Sequence, residues 1–235
     1  MVNQKEKEKL IKFWSEEYKK VDSKPRYCNI ATINLFDKFF PDVKNKKVLD
    51  VGCGHDILMD YFKKRGAKIT GVDICPSVIQ KLKDEGFDAI EADCCNLPIK
   101  NNSFDITFSI GVVEHFKNSE EAIKEHIRVT KQGGKVVIIV PNLISPFLFC
   151  ASLFYLVTGD LLKYGKKTVD GRYFTNKQLK NLMEGCKNVE VFTYSSSSFL
   201  KLFTKKYNKR LAEFIENNYI NKKYGFILFA IGTKV

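Results

Sequence analysis

The chain has 235 residues, of which 44% are hydrophobic and 28% charged, with 14 Gly and 6 Pro. These proportions exclude a disordered, collagen-like or low-complexity protein, and the length allows a core that needs no disulfide or metal. The net charge of +12 is uneven: residues 1–159 carry 24 basic and 21 acidic groups, and residues 160–235 carry 15 and 6. A basic last third predicts an anionic partner, such as a substrate, a lipid head group or a nucleic acid.

The cysteine content and the apolar runs predict in which cellular compartment the protein is found. The seven cysteines are odd in number and form no CxxC pair, which favours a reducing environment over a disulfide framework or a zinc site. The polar N-terminus lacks the apolar run of a signal peptide. The longest apolar stretch, 143–157, has 15 residues and contains a proline, whereas a transmembrane helix needs about 20. We therefore expect a cytoplasmic protein, with peripheral membrane contact as an alternative.

The first 140 residues divide into a helical segment and an alternating segment. Apolar residues at helical spacing predict two helices before Pro41. Predicted strands then alternate with predicted helices, a rhythm typical of βαβ units and a parallel sheet covered on both faces. The predicted strands are 47–51, 68–74, 88–93, 104–110 and 135–140, and the predicted helices are 56–65, 76–85 and 119–131.

After Val140 the rhythm changes. The apolar run is followed by a basic loop, a helix that begins at Thr175, a strand at 188–194, an amphipathic stretch at 199–220 and a closing strand at 224–232. With no internal repeat and no linker-like segment, we expect one domain over 1–235. Its predicted parts are N-terminal covering helices (1–45), a cofactor-binding core (46–142), and a substrate-side elaboration with the last strands (143–235).

The segment VLDVGCGHD (48–56) has the order strand, glycine turn and helix start that a nucleotide-binding loop requires. Gly52 and Gly54 allow a tight turn and a close approach to a ligand. A dinucleotide motif would have a third glycine at Ile57, and a phosphate-binding GxxxxGK[ST] is absent. An acid, Asp50, precedes the glycines instead, and it suits a ligand that carries an ammonium group.

Two more acids end the next two predicted strands. Asp73 comes 19 residues after Gly54, and its carboxylate can accept hydrogen bonds from ribose hydroxyls. Asp93 comes 20 residues later, and its side chain can accept a hydrogen bond from an exocyclic amine. Cys94 would then lie beside the ring that carries this amine. Because the carboxyl ends of parallel strands share one edge of a sheet, the three acids predict a single crevice.

The ordered segments VLDVGCG, GVDI, EAD, FDITFSIGVVEHF and GGKVVIIVPN resemble the class I S-adenosylmethionine-dependent methyltransferases. The likeness is greatest to their ubiquinone/menaquinone-biosynthesis-like branch and covers residues 46–142. It implies an α/β fold: a doubly wound seven-stranded sheet of order 3-2-1-4-5-7-6 with the last strand antiparallel, N-terminal helices, and a helical insertion after strand 5. It also implies S-adenosyl-L-methionine as cofactor.

Carried over by position, the resemblance implies residues for each part of the cofactor. Family loops often have a third glycine where this chain has Asp56, a good helix N-cap. The implied set is Asp50, Gly52, Cys53 and Gly54 for the methionine moiety, Asp73 and Ile74 for the ribose, Asp93 and Cys94 for the adenine, and Ile110 and Gly111 beside the sulfonium.

The acceptor side has fewer candidates. Since the sulfonium is an activated donor, a general base is needed only where the acceptor must lose a proton. His115, just after the fourth strand, is the candidate for that catalytic role, with loop positioning as its alternative. Some relatives bind a metal through ExxEH, but Gly111 replaces the first Glu here, and we predict no metal site.

Four further residues are candidate substrate contacts: Trp14 and Tyr18 on the covering helix, and Arg172 and Tyr173 on the later loop. Packing is the alternative role for the aromatic pair. The run 143–157 is expected to be a buried helix, a substrate lid or a membrane contact.

These features favour methyl transfer to an oxygen, nitrogen or carbon of a small-molecule or lipid-like acceptor, which the basic last third suggests is anionic. An RNA or protein methyltransferase is an alternative, drawn from the same basic charge. It is disfavoured because SIGVVEH stands where base-amine methylases carry an NPPY-like tetrapeptide. A cofactor-binding partner subunit without catalysis is a third interpretation. The sequence predicts no oligomeric state.

Overall fold

A computed structural model describes residues 4–19, 30–54, 57–145, 171–194 and 225–235. The predicted N-cap Asp56, the amphipathic stretch 199–220 and most of the run 143–157 lie outside these ranges. The helices are α1 (Gln4–Lys19), α2 (Ile30–Phe39), α3 (Ile57–Lys64), α4 (Pro76–Asp84), α5 (Ser119–Val129) and α6 (Asn176–Leu182), with a 3-10 turn at Val113–His115. The strands are β1 (Lys47–Val51), β2 (Lys68–Asp73), β3 (Asp88–Glu91), β4 (Phe104–Ile110), β5 (Thr130–Pro141), β6 (Cys186–Tyr194) and β7 (Ile227–Lys234).

The strands form one seven-stranded sheet of order β3-β2-β1-β4-β5-β7-β6. The neighbours from β3 through β5 are parallel, while β7 runs antiparallel to both β5 and β6. The predicted doubly wound sheet and its antiparallel last strand are confirmed. The parallel half brings the carboxyl ends of β1, β2, β3 and β4 to one edge.

The fifth strand begins earlier than predicted. Thr130 has extended backbone and pairs with Phe104, so α5 ends at Val129 rather than at residue 131. A register shift between Phe104 and Ile106 then accommodates the added residues before regular pairing resumes at Lys135. The apolar pattern alone marks only the later part of this strand, because the residues before Lys135 are polar or glycine.

Each face of the sheet is covered by a hydrophobic layer. On one face, Phe36 of α2 is fully buried and its ring contacts the rings of Phe62, Phe108 and Phe229 at 5.1–5.9 Å. On the other face, residues of α5 and α6 such as Ile123 pack against the sheet. The run Val136–Val140 of β5 is buried throughout, as expected for a strand covered on both faces.

None of the helices in the described ranges is long and apolar enough to cross a membrane.

Candidate active site

The glycine loop after β1 folds back onto β2. The backbone N–H groups of Gly52 and Cys53 both donate to the carbonyl of Val72, at 2.6 and 2.9 Å. Gly52 has a φ of 74°, and a Cβ built there would lie 2.3 Å from Cγ2 of Val112. Both the left-handed backbone and the close contact require glycine. Glycine at position 52 therefore fixes the conformation of the loop, at the place where the motif predicts a ligand.

Asp73 anchors this loop. Its carboxylate is 5% exposed, and it accepts hydrogen bonds from the backbone N–H of Gly54 at 3.0 Å and of Cys75 at 2.9 Å. Burial raises the pKa of Asp73, and the N–H groups of Cys75, Gly54 and Ile74 act against that rise. Each carboxylate oxygen has two acceptor positions, so the carboxylate can hold the loop and still accept from ribose hydroxyls.

The other two predicted acids differ in exposure. Asp50, on β1 between Gly71 of β2 and Phe108 of β4, is 1% exposed. Asp93 is half-buried and accepts from the backbone N–H of Cys95 at 2.9 Å. Both follow the parallel strands to the same edge as Asp73, in agreement with the predicted crevice.

Cys94 lies in the turn after β3. Among the described residues, one group of three has the spacing to hold a metal, and it consists of Asp93, Cys94 and Cys95. Burial, with a contribution from the Cys95 thiol, raises the pKa of the Cys94 thiol. Without a bound metal, the Cys94 thiol is therefore neutral at physiological pH.

The 3-10 turn after β4 contains an acid, Glu114, which is the Glu beside His115 in the ExxEH pattern of metal-binding relatives. Glu114, in the 3-10 turn, is 4% exposed, and burial raises its pKa to about 8. Within the described part of the chain its Oε2 has no hydrogen-bond partner. Among the described residues other than its chain neighbours, a Cβ added to Gly111 would meet one atom within 4 Å, Oε1 of Glu114 at 3.6 Å. The Glu114 carboxyl group therefore lies next to Gly111.

The helix α1 covers the crevice. The Trp14 ring lies edge-on to the His115 ring with centroids 5.4 Å apart, and it lies 5.8 Å from the Tyr18 ring. The Tyr18 hydroxyl would be 2.8 Å from a Cβ on Gly54. The structure thus brings the two predicted contacts of the covering helix against the glycine loop and against His115.

The loop before α6 reaches the same place. The backbone N–H of Arg172 donates to the Glu114 carbonyl at 2.9 Å, and its guanidinium donates to the Lys117 carbonyl at 2.7 Å. Tyr173 is 42% exposed, and burial followed by the charge of Glu114 raises the pKa of its hydroxyl. Both predicted loop residues therefore lie beside the 3-10 turn.

The other described histidine, His126, is part of the hydrophobic interior rather than of the crevice. His126 of α5 is fully buried, and its Nδ1 lies 2.7 Å from the carbonyl of Ala122. Burial lowers the pKa of His126 to about 4, so its ring is neutral at physiological pH. The His126 carbonyl accepts from the hydroxyl of Thr130, the first residue of β5, at the edge of the sheet opposite the carboxyl ends of the parallel strands. Of the two described histidines, His115 is therefore the one at the crevice.

A doubly wound sheet of this order, with a glycine loop after β1 and acids at the ends of β1, β2 and β3, defines the class I S-adenosylmethionine-dependent methyltransferase fold. Residues 49–138 match the family described as Methyltransferase domain. This part of the chain, from β1 into β5, is a class I S-adenosylmethionine-dependent methyltransferase domain, and S-adenosyl-L-methionine is the cofactor of that class.

Three curated relatives differ in their acceptors. The chain is 32% identical over 103 residues to a sterol 4-C-methyltransferase of Caenorhabditis elegans, covering 40% of this chain and 31% of that protein. It is 35% identical over 108 residues to the Probable tRNA methyltransferase 9B of Mus musculus, covering 44% and 24%. It is 32% identical over 117 residues to norajmaline N-methyltransferase of Rauvolfia serpentina, covering 45% and 39%. The chain therefore spans less than half the length of each.

A solved structure extends the likeness to nearly the whole chain. The S-adenosylmethionine-dependent methyltransferase of Thermotoga maritima superposes with a TM-score of 0.62 at 20% identity, covering 98% of this chain and 95% of that one. This similarity concerns the fold, including the part of the sheet beyond residue 138.

The fluorescence of the single tryptophan can be used to detect ligand binding in the crevice. Trp14 is the one Trp in the sequence, and it contacts His115 and Tyr18 over the glycine loop. We expect S-adenosylhomocysteine to shift or quench its emission saturably, because a ligand below α1 changes the surroundings of the indole. Trp14→Phe should remove the signal and keep calorimetric binding. Binding by calorimetry with an unchanged wild-type spectrum would contradict the covering position of α1.

Proposed function

We propose that the chain is an enzyme that transfers the methyl group of S-adenosyl-L-methionine to a small-molecule or lipid-like acceptor. The observation that carries the proposal is the Asp73 carboxylate, which is buried at the end of β2 and bonded to the glycine loop. An acid in that place suits ribose hydroxyls and would repel a phosphate. The matching Methyltransferase domain family supports the same chemistry.

The cofactor roles follow the strand ends. We assign the methionine moiety to the loop after β1, the ribose to the end of β2, the adenine to the turn after β3, and the sulfonium to the end of β4. Few described atoms lie near Gly111, which supports the last assignment, since a methyl donor needs an unobstructed approach by its acceptor. The residues in these roles are Asp50, Gly52, Cys53, Gly54, Asp73, Ile74, Asp93, Cys94, Ile110 and Gly111.

The acceptor would enter between α1 and the loop before α6. Trp14, Arg172 and Tyr173 surround the 3-10 turn there, and none of the three is buried. His115 has the position for proton transfer or for orienting Trp14. An aromatic rim of this kind suits a small organic acceptor. The sterol and alkaloid methyltransferases among the relatives support the same class.

RNA is a second candidate acceptor. The similarity to the mouse Probable tRNA methyltransferase 9B favours it, as does the basic last third. Much of that basic charge lies in residues 195–224, outside the described ranges. We rank RNA second because the described rim beside Glu114 is aromatic and partly buried rather than an open basic groove.

Labelling in a cell extract tests the acceptor class. The chain is incubated with methyl-labelled S-adenosylmethionine and an extract divided into small-molecule, lipid, RNA and protein fractions, with Asp73→Asn as the inactive control. We expect label in the small-molecule or lipid fraction, absent with the control. Label confined to RNA or to protein would contradict the proposed acceptor, and no label in any fraction would contradict the activity.

A further inference from the structure

A carboxyl group lies next to Gly111 at the end of β4. Among the described residues, and apart from the chain neighbours of Gly111, Oε1 of Glu114 is the one heavy atom within 4 Å of the position of a Cβ on Gly111, at 3.6 Å. Glu114 is buried, with 4% of its surface exposed. Its Oε2 has no hydrogen-bond partner among the described residues. A buried acid that is unsatisfied at one oxygen, beside the glycine at the end of β4, has the form of a ligand contact.

The charged and titratable groups around Glu114 leave it without a counterion in the described ranges. The Arg172 guanidinium bonds the Lys117 carbonyl instead. Tyr173 interacts electrostatically with Glu114, and its own hydroxyl has a raised pKa and is neutral. His115 follows in the chain, and its ring lies against Trp14. Among the described residues, no lysine or arginine contributes to the pKa of Glu114, which burial raises to about 8.

A cationic group on the acceptor would complete this site, whereas the basic last third of the chain predicts an anionic acceptor. Ionising a buried carboxyl is unfavourable unless a positive charge comes close. An ammonium ion supplies that charge and donates hydrogen bonds to both oxygens, whereas a hydroxyl or a carbon acceptor supplies no charge. The half-buried Trp14 ring and the exposed Tyr173 ring of the rim suit a cation as well.

We propose that the acceptor is an amine that binds as its ammonium ion, and that the Glu114 carboxylate receives its proton before methyl transfer. This inference rests on the proposed function. The N–H bond of the ammonium breaks and the proton moves to a Glu114 oxygen, which leaves a neutral amine and a neutral carboxyl group. The nitrogen lone pair then forms the N–CH₃ bond as the C–S bond breaks and its electron pair returns to sulfur. The product leaves as a methylammonium ion with S-adenosylhomocysteine, and Glu114 releases its proton to water.

The first test locates the methyl group. Labelled product from the extract experiment is isolated, and mass spectrometry with NMR identifies the atom that carries the label. We expect nitrogen. A methyl group on oxygen or on carbon would overturn the inference and leave the proposed function intact.

The second test compares Glu114→Gln with Glu120→Gln. Glu120 is exposed on α5 and pairs with Lys124 at 2.7 Å, so its substitution is a matched control. With the isolated acceptor we expect Glu114→Gln to lower kcat/KM about 100-fold or more, with the Kd for S-adenosylhomocysteine within about threefold of wild type. The control should match wild type. Retention of kcat/KM within about threefold in Glu114→Gln would overturn the inference.

The pH profile separates proton transfer from a structural role. The reacting form contains ionised Glu114 and protonated amine, so kcat/KM of wild type should rise with pH until the carboxyl is ionised and fall when the free amine loses its proton. Glu114→Asp, which keeps a carboxyl group, should retain the rising limb at a lower rate, and Glu114→Gln should lose it. If the wild-type chain does not bind S-adenosylhomocysteine, the proposed function is contradicted instead. An unchanged rising limb in Glu114→Gln would overturn the assignment of the proton to Glu114.

Discussion

Asp73→Asn is expected to weaken the binding of S-adenosylmethionine about 100-fold or more without unfolding the chain. The carboxylate oxygens each accept a backbone N–H, from Gly54 and from Cys75. An amide offers one acceptor oxygen, so its NH₂ group must face one of those N–H donors. Hydrogen bonds to a charged acceptor contribute about 1.5–3 kcal/mol each. Losing two of them to the ribose removes about 3–6 kcal/mol, more than the 2.8 kcal/mol or so that a 100-fold change requires.

A matched control is available on α3. Asp60 is exposed and lies 3.8 Å from Lys64 across one turn of that helix, so Asp60→Asn should bind the cofactor as wild type does. Calorimetric titration with S-adenosylmethionine gives both affinities, and circular dichroism verifies that both variants are folded. Equal affinity of folded Asp73→Asn and wild type would show that Asp73 holds the loop without contacting the ligand.

The second large effect concerns the attachment of α2 to the sheet. Phe36→Ala is expected to lower the free energy of unfolding by about 3–5 kcal/mol, the range for removing a buried phenylalanine side chain. The Phe36 ring is fully buried and contacts rings from α3, β4 and β7. Their relaxation into the cavity is limited because they also pack on each other, as Phe62 does on Phe108 at 5.4 Å.

Urea titration followed by circular dichroism measures this difference. Asn34, exposed on the same helix, provides the control, and Asn34→Ala should change the free energy of unfolding by less than about 1 kcal/mol, as surface substitutions usually do. A loss below about 1 kcal/mol in Phe36→Ala would mean that α2 is not packed on the sheet as described.

The alternation of strands and helices and the crevice were predictable because each depends on local sequence. Strand and helix periods indicate βαβ units, and the carboxyl ends of parallel strands lie at one edge of the sheet, so the acids at those ends come together. The likeness to a known family supplied the strand order and the position of the antiparallel strand, which periodicity alone does not give. The glycines at 52 and 54 were predictable for the same local reason.

The importance of Glu114 was not predictable in this way. The sequence pattern of an acid next to a histidine after a strand indicates an exposed or metal-binding pair. Glu114 is 4% exposed because the 3-10 turn and the loop at Arg172 pack around it, and this packing is not visible in the local sequence. The contact of Gly52 with Val112, 60 residues away in the chain, likewise depends on tertiary packing. The early start of β5 at Thr130 depends on pairing with Phe104 rather than on apolar pattern.

The most direct measurement is the calorimetric titration of the wild-type chain with S-adenosylmethionine. Because Asp73, the glycine loop and the space beside Gly111 form one crevice, we predict one molecule bound per chain, displaced competitively by S-adenosylhomocysteine. No binding at millimolar cofactor by a folded chain would contradict the assignment of the crevice.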